Sequence, residues 1–320
     1  MKIIRWKETI MAIYSRVKQN RRRAYLLFIL CLIIINTFSA DIYAQQSKPT
    51  TSPKHCLWLV KTPQNKNVYL LGSLHVLKSE AYPLAKTITE AYRQSQKVVF
   101  ETDMAALADP ATQSNMIMMG LYPEGQTLFQ NISSEMQREL KKKMTNLEMK
   151  LEHFARFKPW LMAVSLTLME LQRLGFSLEY GIDVHFYGKA TIDNKEIGFL
   201  EPVDFQLELL GKMNLQDQNA FLGQTLKDLD IAARMADDML TYWKKGDADN
   251  LYALLFKSFE GYPQIENRLI SQRNLQWVKK IEEMMVEDKN IIVIVGAGHL
   301  IGPGSVVALL KQKGYRVKQK

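Results

Sequence analysis

Two short stretches of the chain share one pattern, a glycine followed three residues later by a histidine: Gly72-Ser73-Leu74-His75 and Gly296-Ala297-Gly298-His299. Each follows an apolar run, VYLL at 68–71 and IIVIV at 291–295. Two further apolar runs, VVF at 98–100 and IGFL at 197–200, end in Glu101 and Glu201. Imidazoles and carboxylates brought together can ligate a divalent metal, or act as base and acid on a bound water. The glycines let the chain turn sharply off a strand and carry backbone N–H groups toward a substrate or anion, which makes Gly72, Gly296 and Gly298 candidate substrate-binding positions. A lone G-x-x-H means little, because a histidine after a strand is more often a turn or core residue, and a carboxylate there is usually a cap. The weight lies in the coincidence: the chain has five histidines (55, 75, 153, 185 and 299), and two share this context.

For these four ends to meet, the runs must be neighbouring parallel strands, because ligands in open sheets bind beyond the carboxyl ends of the strands. Residues 56–61 (CLWLVK) and 68–71 read as a hairpin across the turn-forming PQNKN. Residues 82–95 read as a helix opened by Pro83, and 98–100 as a short buried strand. Residues 103–175 are helix-rich. The unusually apolar stretch 159–174 opens on Pro159, which suits a first helical turn. A helix begins near Gly181-Ile182-Asp183 and a strand covers 197–200. Residues 203–287 are helical again. The five β-branched residues of IIVIV are the clearest strand, the kind covered on both faces. A helix at about 305–313 and a strand at 315–318 close the chain. Strands at both ends with a helical middle predict an α/β domain, or α+β, with a central mostly parallel sheet, a strand-end active site and a large helical insertion.

The other titratable residues have plainer readings. His55 beside a linker and His153 in HFARFK read as surface or packing residues, and His185 as a lesser candidate. Met116, Met118 and Met119 read as packing, and the lysines at 141–143 as a solvated helix face. Arg273 sits on an amphipathic stretch, 266–285, just before IIVIV. There it could stabilise an oxyanion or clamp a carboxylate, although a surface ion pair is the plainer use. No HExxH, CxxC or GxSxG occurs, so zincin, redox and α/β-hydrolase readings lack their signatures.

Composition is that of a globular protein, 47% hydrophobic and 23% charged over 320 residues. The formal charge of +9 is concentrated at the amino end. Residues 1–44 hold eight Lys/Arg and two acids, leaving 34 basic and 31 acidic residues and a net of +3, so a nucleic-acid-binding face is not supported. Residues 1–23 are basic and residues 24–35 are an uncharged apolar run, shorter than the ~20 residues of a spanning helix. A small-residue stretch follows, ending at Ala44. This order reads as a signal peptide at 1–44, or an uncleaved anchor, with a polar linker at 45–54 and the main domain at 55–320. Either way the domain is exported, periplasmic or secreted, and meets the membrane only through an uncleaved amino terminus. Removal of the leader takes Cys31 with it and leaves only Cys56, so neither an internal disulfide nor a Cys-rich metal site is expected.

LLGSLHVL (70–77), VVFE (98–101), GIDVHF (181–186), IGFLE (197–201), ENRLISQRN (266–274) and VGAGHLIGPGSVVALLKQKGYRV (295–317) resemble, in order, segments of the TraB/GumN family. The Tiki proteases are related to that family, within a broader group that includes erythromycin esterases and ChaN-like proteins. The resemblance implies an α/β fold and metalloprotease chemistry dependent on a divalent ion such as manganese or cobalt. By position it implies His75, His299 and Glu101 as catalytic and metal-holding residues, Arg273 as catalytic, and Asp183 and Glu201 as substrate-binding. The expected function is an exported metal-dependent hydrolase acting on a peptide or protein substrate. The alternatives are a non-catalytic module that sequesters a peptide or haem, and a metal-independent, esterase-like hydrolase with a histidine base.

Overall fold

The computed structural model describes residues 54–320. The expected leader and all of the linker but Lys54 lie outside these residues. Six strands form one sheet: β1 (Leu57–Lys61), β2 (Asn67–Ser73), β3 (Lys97–Phe100), β4 (Glu196–Phe199), β5 (Ile291–Gly296) and β6 (Val317–Gln319), in the order β4-β3-β5-β2-β1-β6. The four strands that lead into His75, Glu101, Glu201 and His299 run parallel: β5 pairs with both β2 and β3, and β3 pairs with β4. β1 pairs antiparallel with β2 and with β6. The mostly parallel sheet matches the α/β expectation.

β5 is central because every residue in it can be buried; all six are. A strand with both faces covered reads as a continuous apolar run. From β2 to β3 to β4 the chain steps one way across the sheet, and from β4 through β5 to β6 it steps back. With right-handed crossovers, this places Lys86–Gln94 and Ile182–Ile192 on one face and Gln272–Met284 and Val306–Gln312 on the other. One core joins the sheet to Tyr92, Phe186, Trp277, Ile281 and Leu310.

A second core lies within the helical middle. Its axis is the helix Pro159–Arg173, in which twelve of fifteen residues are buried, and which packs on Leu215–Asp228. A helix apolar on all sides belongs in an interior. Among the described residues, no helix is long and apolar enough to cross a membrane.

Two boundaries differ from expectation. The first long helix starts at Lys86, not near Tyr82, because Tyr82 is extended and its hydroxyl donates to the Tyr180 carbonyl at 2.9 Å. The last strand starts at Val317 because Tyr315 N–H closes the preceding helix onto Leu310 O, across a left-handed Gly314.

The segment after β2 is docked as a unit. Leu77 and Ser177 exchange backbone hydrogen bonds, and Ile182 N–H donates to Leu74 O. Gly181 lies so close that an added Cβ would sit 2.4 Å from the His75 carbonyl oxygen. Gly181→Ala must therefore displace backbone, and we expect a loss of about 1–3 kcal/mol in urea denaturation. An unchanged midpoint would contradict the docking.

Candidate active site

The ladder between β3 and β4 continues past the strands. Leu200 N–H donates to Phe100 O, and Glu201 N–H to Glu101 O at 2.9 Å. The two glutamates therefore stand side by side at the carboxyl edge. His75 follows β2 and His299 follows β5 at the same edge. Gly296 marks the meeting point: a Cβ built there would lie 3.2 Å from Glu101 Oε1, 3.4 Å from His75 Nε2 and 3.6 Å from His299 Cδ2. Only a residue without a side chain leaves this space open.

Arg273 organises the cluster. It is buried, and its five N–H groups are all engaged. Nε donates to Glu201, Nη2 to Glu201 Oε1 at 2.6 Å and to Glu101 Oε2 at 2.7 Å, and Nη1 to Leu269 O at 2.9 Å and to His299 Nε2 at 3.0 Å. Its guanidinium carbon lies 4.6 Å from the centre of the Trp277 ring. The Leu269 carbonyl belongs to a π-helical turn, Asn267–Ser271, that precedes the arginine's helix. Such turns often occur at functional sites.

Because Arg273 can only donate, His299 Nε2 accepts. Its Nδ1 then carries the proton and donates to Asn274 Oδ1 at 2.7 Å, while Asn274 Nδ2 donates to Gly304 O. Burial, and then the arginine's charge, push the His299 pKa down to about 3. His75 is the opposite case. Its Nδ1 lies 3.1 Å from Asp183 Oδ2, and Ser73 Oγ donates to Asp183 Oδ1 at 2.9 Å. Burial alone would lower the His75 pKa, but the Asp183 carboxylate outweighs it and raises the value to about 9. Burial would raise the Glu101 pKa, yet the charge of Arg273, aided by the histidines and by Gly296 N–H, which donates to Oε1 at 2.7 Å, holds it at about 2. Gln206 Nε2 donates to both glutamates, and Trp277 Nε1 to Glu201 Oε2.

Of the residues singled out in the sequence, His75, Glu101, Arg273, His299, Asp183, Glu201 and Gly296 lie in this one network. Asp183 and Glu201 hold other side chains of the network. Gly72 packs against Ala297, and its carbonyl accepts from Trp243 Nε1 at 2.7 Å. Gly298 is buried within the turn that carries His299. His185 stacks with Tyr82 and Phe186, His153 is exposed, and His55 N–H pairs with the Lys320 carbonyl. Ser73, Gln206, Asn274 and Trp277 escaped sequence reasoning. Each is a common polar or aromatic residue with no motif of its own, although Asn274 is the immediate neighbour of Arg273.

Among the described residues, no group of three or more His, Cys, Asp or Glu forms a metal-holding cluster. The physical reason is visible: the His299 Nε2 lone pair is turned onto Arg273, so His75, Glu101 and His299 do not form a three-ligand set as folded. His75 Nε2 and Glu101 Oε1 do face the space over Gly296 and fit a cation that keeps several waters. The five engaged N–H groups likewise leave Arg273 none for an oxyanion. It acts by positioning Glu101 and His299. Truncating it leaves buried carboxylates unpaired, so Arg273→Ala should lower unfolding free energy by about 3–5 kcal/mol in urea, and Arg273→Lys should rescue little. A loss below about 1 kcal/mol would contradict the buried network.

A model of the TraB/PrgY/gumN family matches residues 56–319. Similar proteins include the uncharacterised protein YbaP of Escherichia coli K12, 26% identical over 253 residues that cover 79% of this chain and 90% of that one. Metalloprotease TIKI2 of Xenopus tropicalis is 23% identical over 82% of this chain and 59% of its own length. Metalloprotease TIKI1 of Homo sapiens is 21% identical over 88% and 64%. This chain thus spans less than two-thirds of either TIKI protein. No solved structure matches the chain at a significant level. The chain belongs to the TraB/PrgY/gumN family.

Proposed function

We propose that the chain is an exported hydrolase of peptide bonds that depends on a divalent cation such as manganese or cobalt. The observation that carries this reading is the meeting of His75, Glu101 and His299 around the bare Cα of Gly296. The TIKI relatives, named metalloproteases, supply the reaction class. Export rests on the leader-like residues 1–44.

His75 Nε2 and Glu101 would hold the ion. When bound, it would polarise the scissile carbonyl and lower the pKa of a water. The chain's own residues set up this pair. Asp183 fixes the His75 ring so that Nε2 faces the open space, as carboxylates behind metal-bound histidines do. Gly296 N–H and Arg273 aim the Glu101 carboxylate. Neutral His299, anchored by Asn274, holds the Nη1 end of Arg273.

The carboxylate behind His75 favours a second reading. The Asp183 carboxylate, 3.1 Å from Nδ1, raises the His75 pKa and favours a proton on Nε2, which a cation would have to displace. With the proton in place, His75 can instead donate to a leaving amine while the Glu101 carboxylate, which faces the same space, takes the proton of the attacking water, a hydrolysis that needs no metal.

The full chain, incubated with a defined peptide mixture and followed by mass spectrometry, should lose cleavage on chelation and regain it with manganese or cobalt. His75→Ala should fall at least about a hundredfold. Cleavage that survives chelation would replace the cation with the protonated histidine. Binding of peptide or haem without turnover under every condition would reject hydrolysis in favour of sequestration.

A further inference from the structure

A cavity of about 350 Å³ lies directly behind the second G-x-x-H motif. Asn274 lines it, and the other end of that side chain accepts from His299. Gly304 and Ser305, from the loop after His299, form part of the wall, and Ser271 lies one half-turn before Arg273. The cavity thus abuts the catalytic network through a shared residue.

Its lining has a definite chemistry. Tyr252, Phe256 and Phe259 form an aromatic wall, with ring centroids 4.5 Å and 5.7 Å apart in succession. Glu260 and Glu266 are its only charged residues; no Lys, Arg or His lines it. Ser271 Oγ donates to Glu266 Oε1 at 2.7 Å and fixes that carboxylate. Among the described residues, neither glutamate is in an ion pair. Tyr252 is held by contact with the left-handed Gly302, where an added Cβ would fall 2.1 Å from the ring. Aromatic faces and carboxylates around one apolar space favour a cation on a long apolar stem, through ring quadrupole and Coulomb attraction together. The volume is at the low end for ligand pockets and suits a single extended side chain.

We infer that this cavity receives a lysine or arginine side chain of the peptide substrate. The inference rests on the proposed peptide hydrolysis and names the substrate class. The aromatic wall would sheathe the methylenes, and Glu260 and Glu266 would meet the charge, seating the peptide next to His299.

The test uses peptides uncharged but for one lysine that is moved along the sequence, each paired with a norleucine version that keeps the stem and lacks the ammonium. With the full chain, the best lysine peptide should exceed its norleucine partner at least tenfold in kcat/KM, mainly through KM. In the double variant Glu260→Gln/Glu266→Gln the ratio should fall to about one, and Glu260→Lys combined with Glu266→Gln should turn preference toward a glutamate-bearing peptide. Equal values for lysine and norleucine, or a ratio that survives the double variant, would overturn the inference. Fluorescence anisotropy of the same labelled peptides on His75→Ala separates this result from failure of the hydrolase reading. Tenfold tighter lysine binding, abolished by the double variant, sustains the cavity even if nothing is cleaved. Equal binding overturns it even if hydrolysis stands.

Discussion

A single guanidinium, that of Arg273, holds the candidate site together. It is 3% exposed, and an isolated charge there would carry several kcal/mol of desolvation. It is tolerated because Glu101, after β3, and Glu201, after β4, meet it at 2.6–2.7 Å. His299, after β5, takes a further N–H. One side chain therefore ties three strand ends to the helix Gln272–Met284. The arrangement is mutually dependent: the carboxylates need the cation, and the cation has no other way to be buried.

The same constraint separates two histidines that occupy equivalent places in equivalent motifs. β2 lies near the start of the helix Ile182–Ile192, which brings Asp183 to His75. β5 lies near the helix that brings Arg273 to His299. A carboxylate partner holds one imidazole protonated and a guanidinium partner holds the other neutral. The neutral ring serves as a scaffold, and the charged one faces the open space above Gly296.

Much of this was legible in the residues. The parallel strands showed as apolar runs without alternation, and His75, Glu101, Glu201 and His299 stood at their ends. Pro159 and its apolar helix announced a second core. What stayed hidden depends on contacts between distant segments. Nothing local marks Gln206 as the amide that spans both glutamates, or Ser73 as the hydroxyl on Asp183. The π-helical turn before Arg273, which directs the Leu269 carbonyl at the guanidinium, follows no periodicity. The competition for the His299 lone pair is also invisible in spacing alone, which is why three residues with metal-ligand chemistry read as a ligand set.

The most direct test of this account is the protonation of the two motif imidazoles, read by nitrogen-15 NMR of histidine-labelled full chain across pH 4–10, with His75→Gln and His299→Gln spectra for assignment. The arrangement requires His299 to stay neutral, with its proton on Nδ1, throughout that range, because its pKa lies near 3. It requires His75 to be doubly protonated at neutral pH and to lose a proton only at about 9. Two histidines titrating together near their ordinary value of about 6.5 would contradict it.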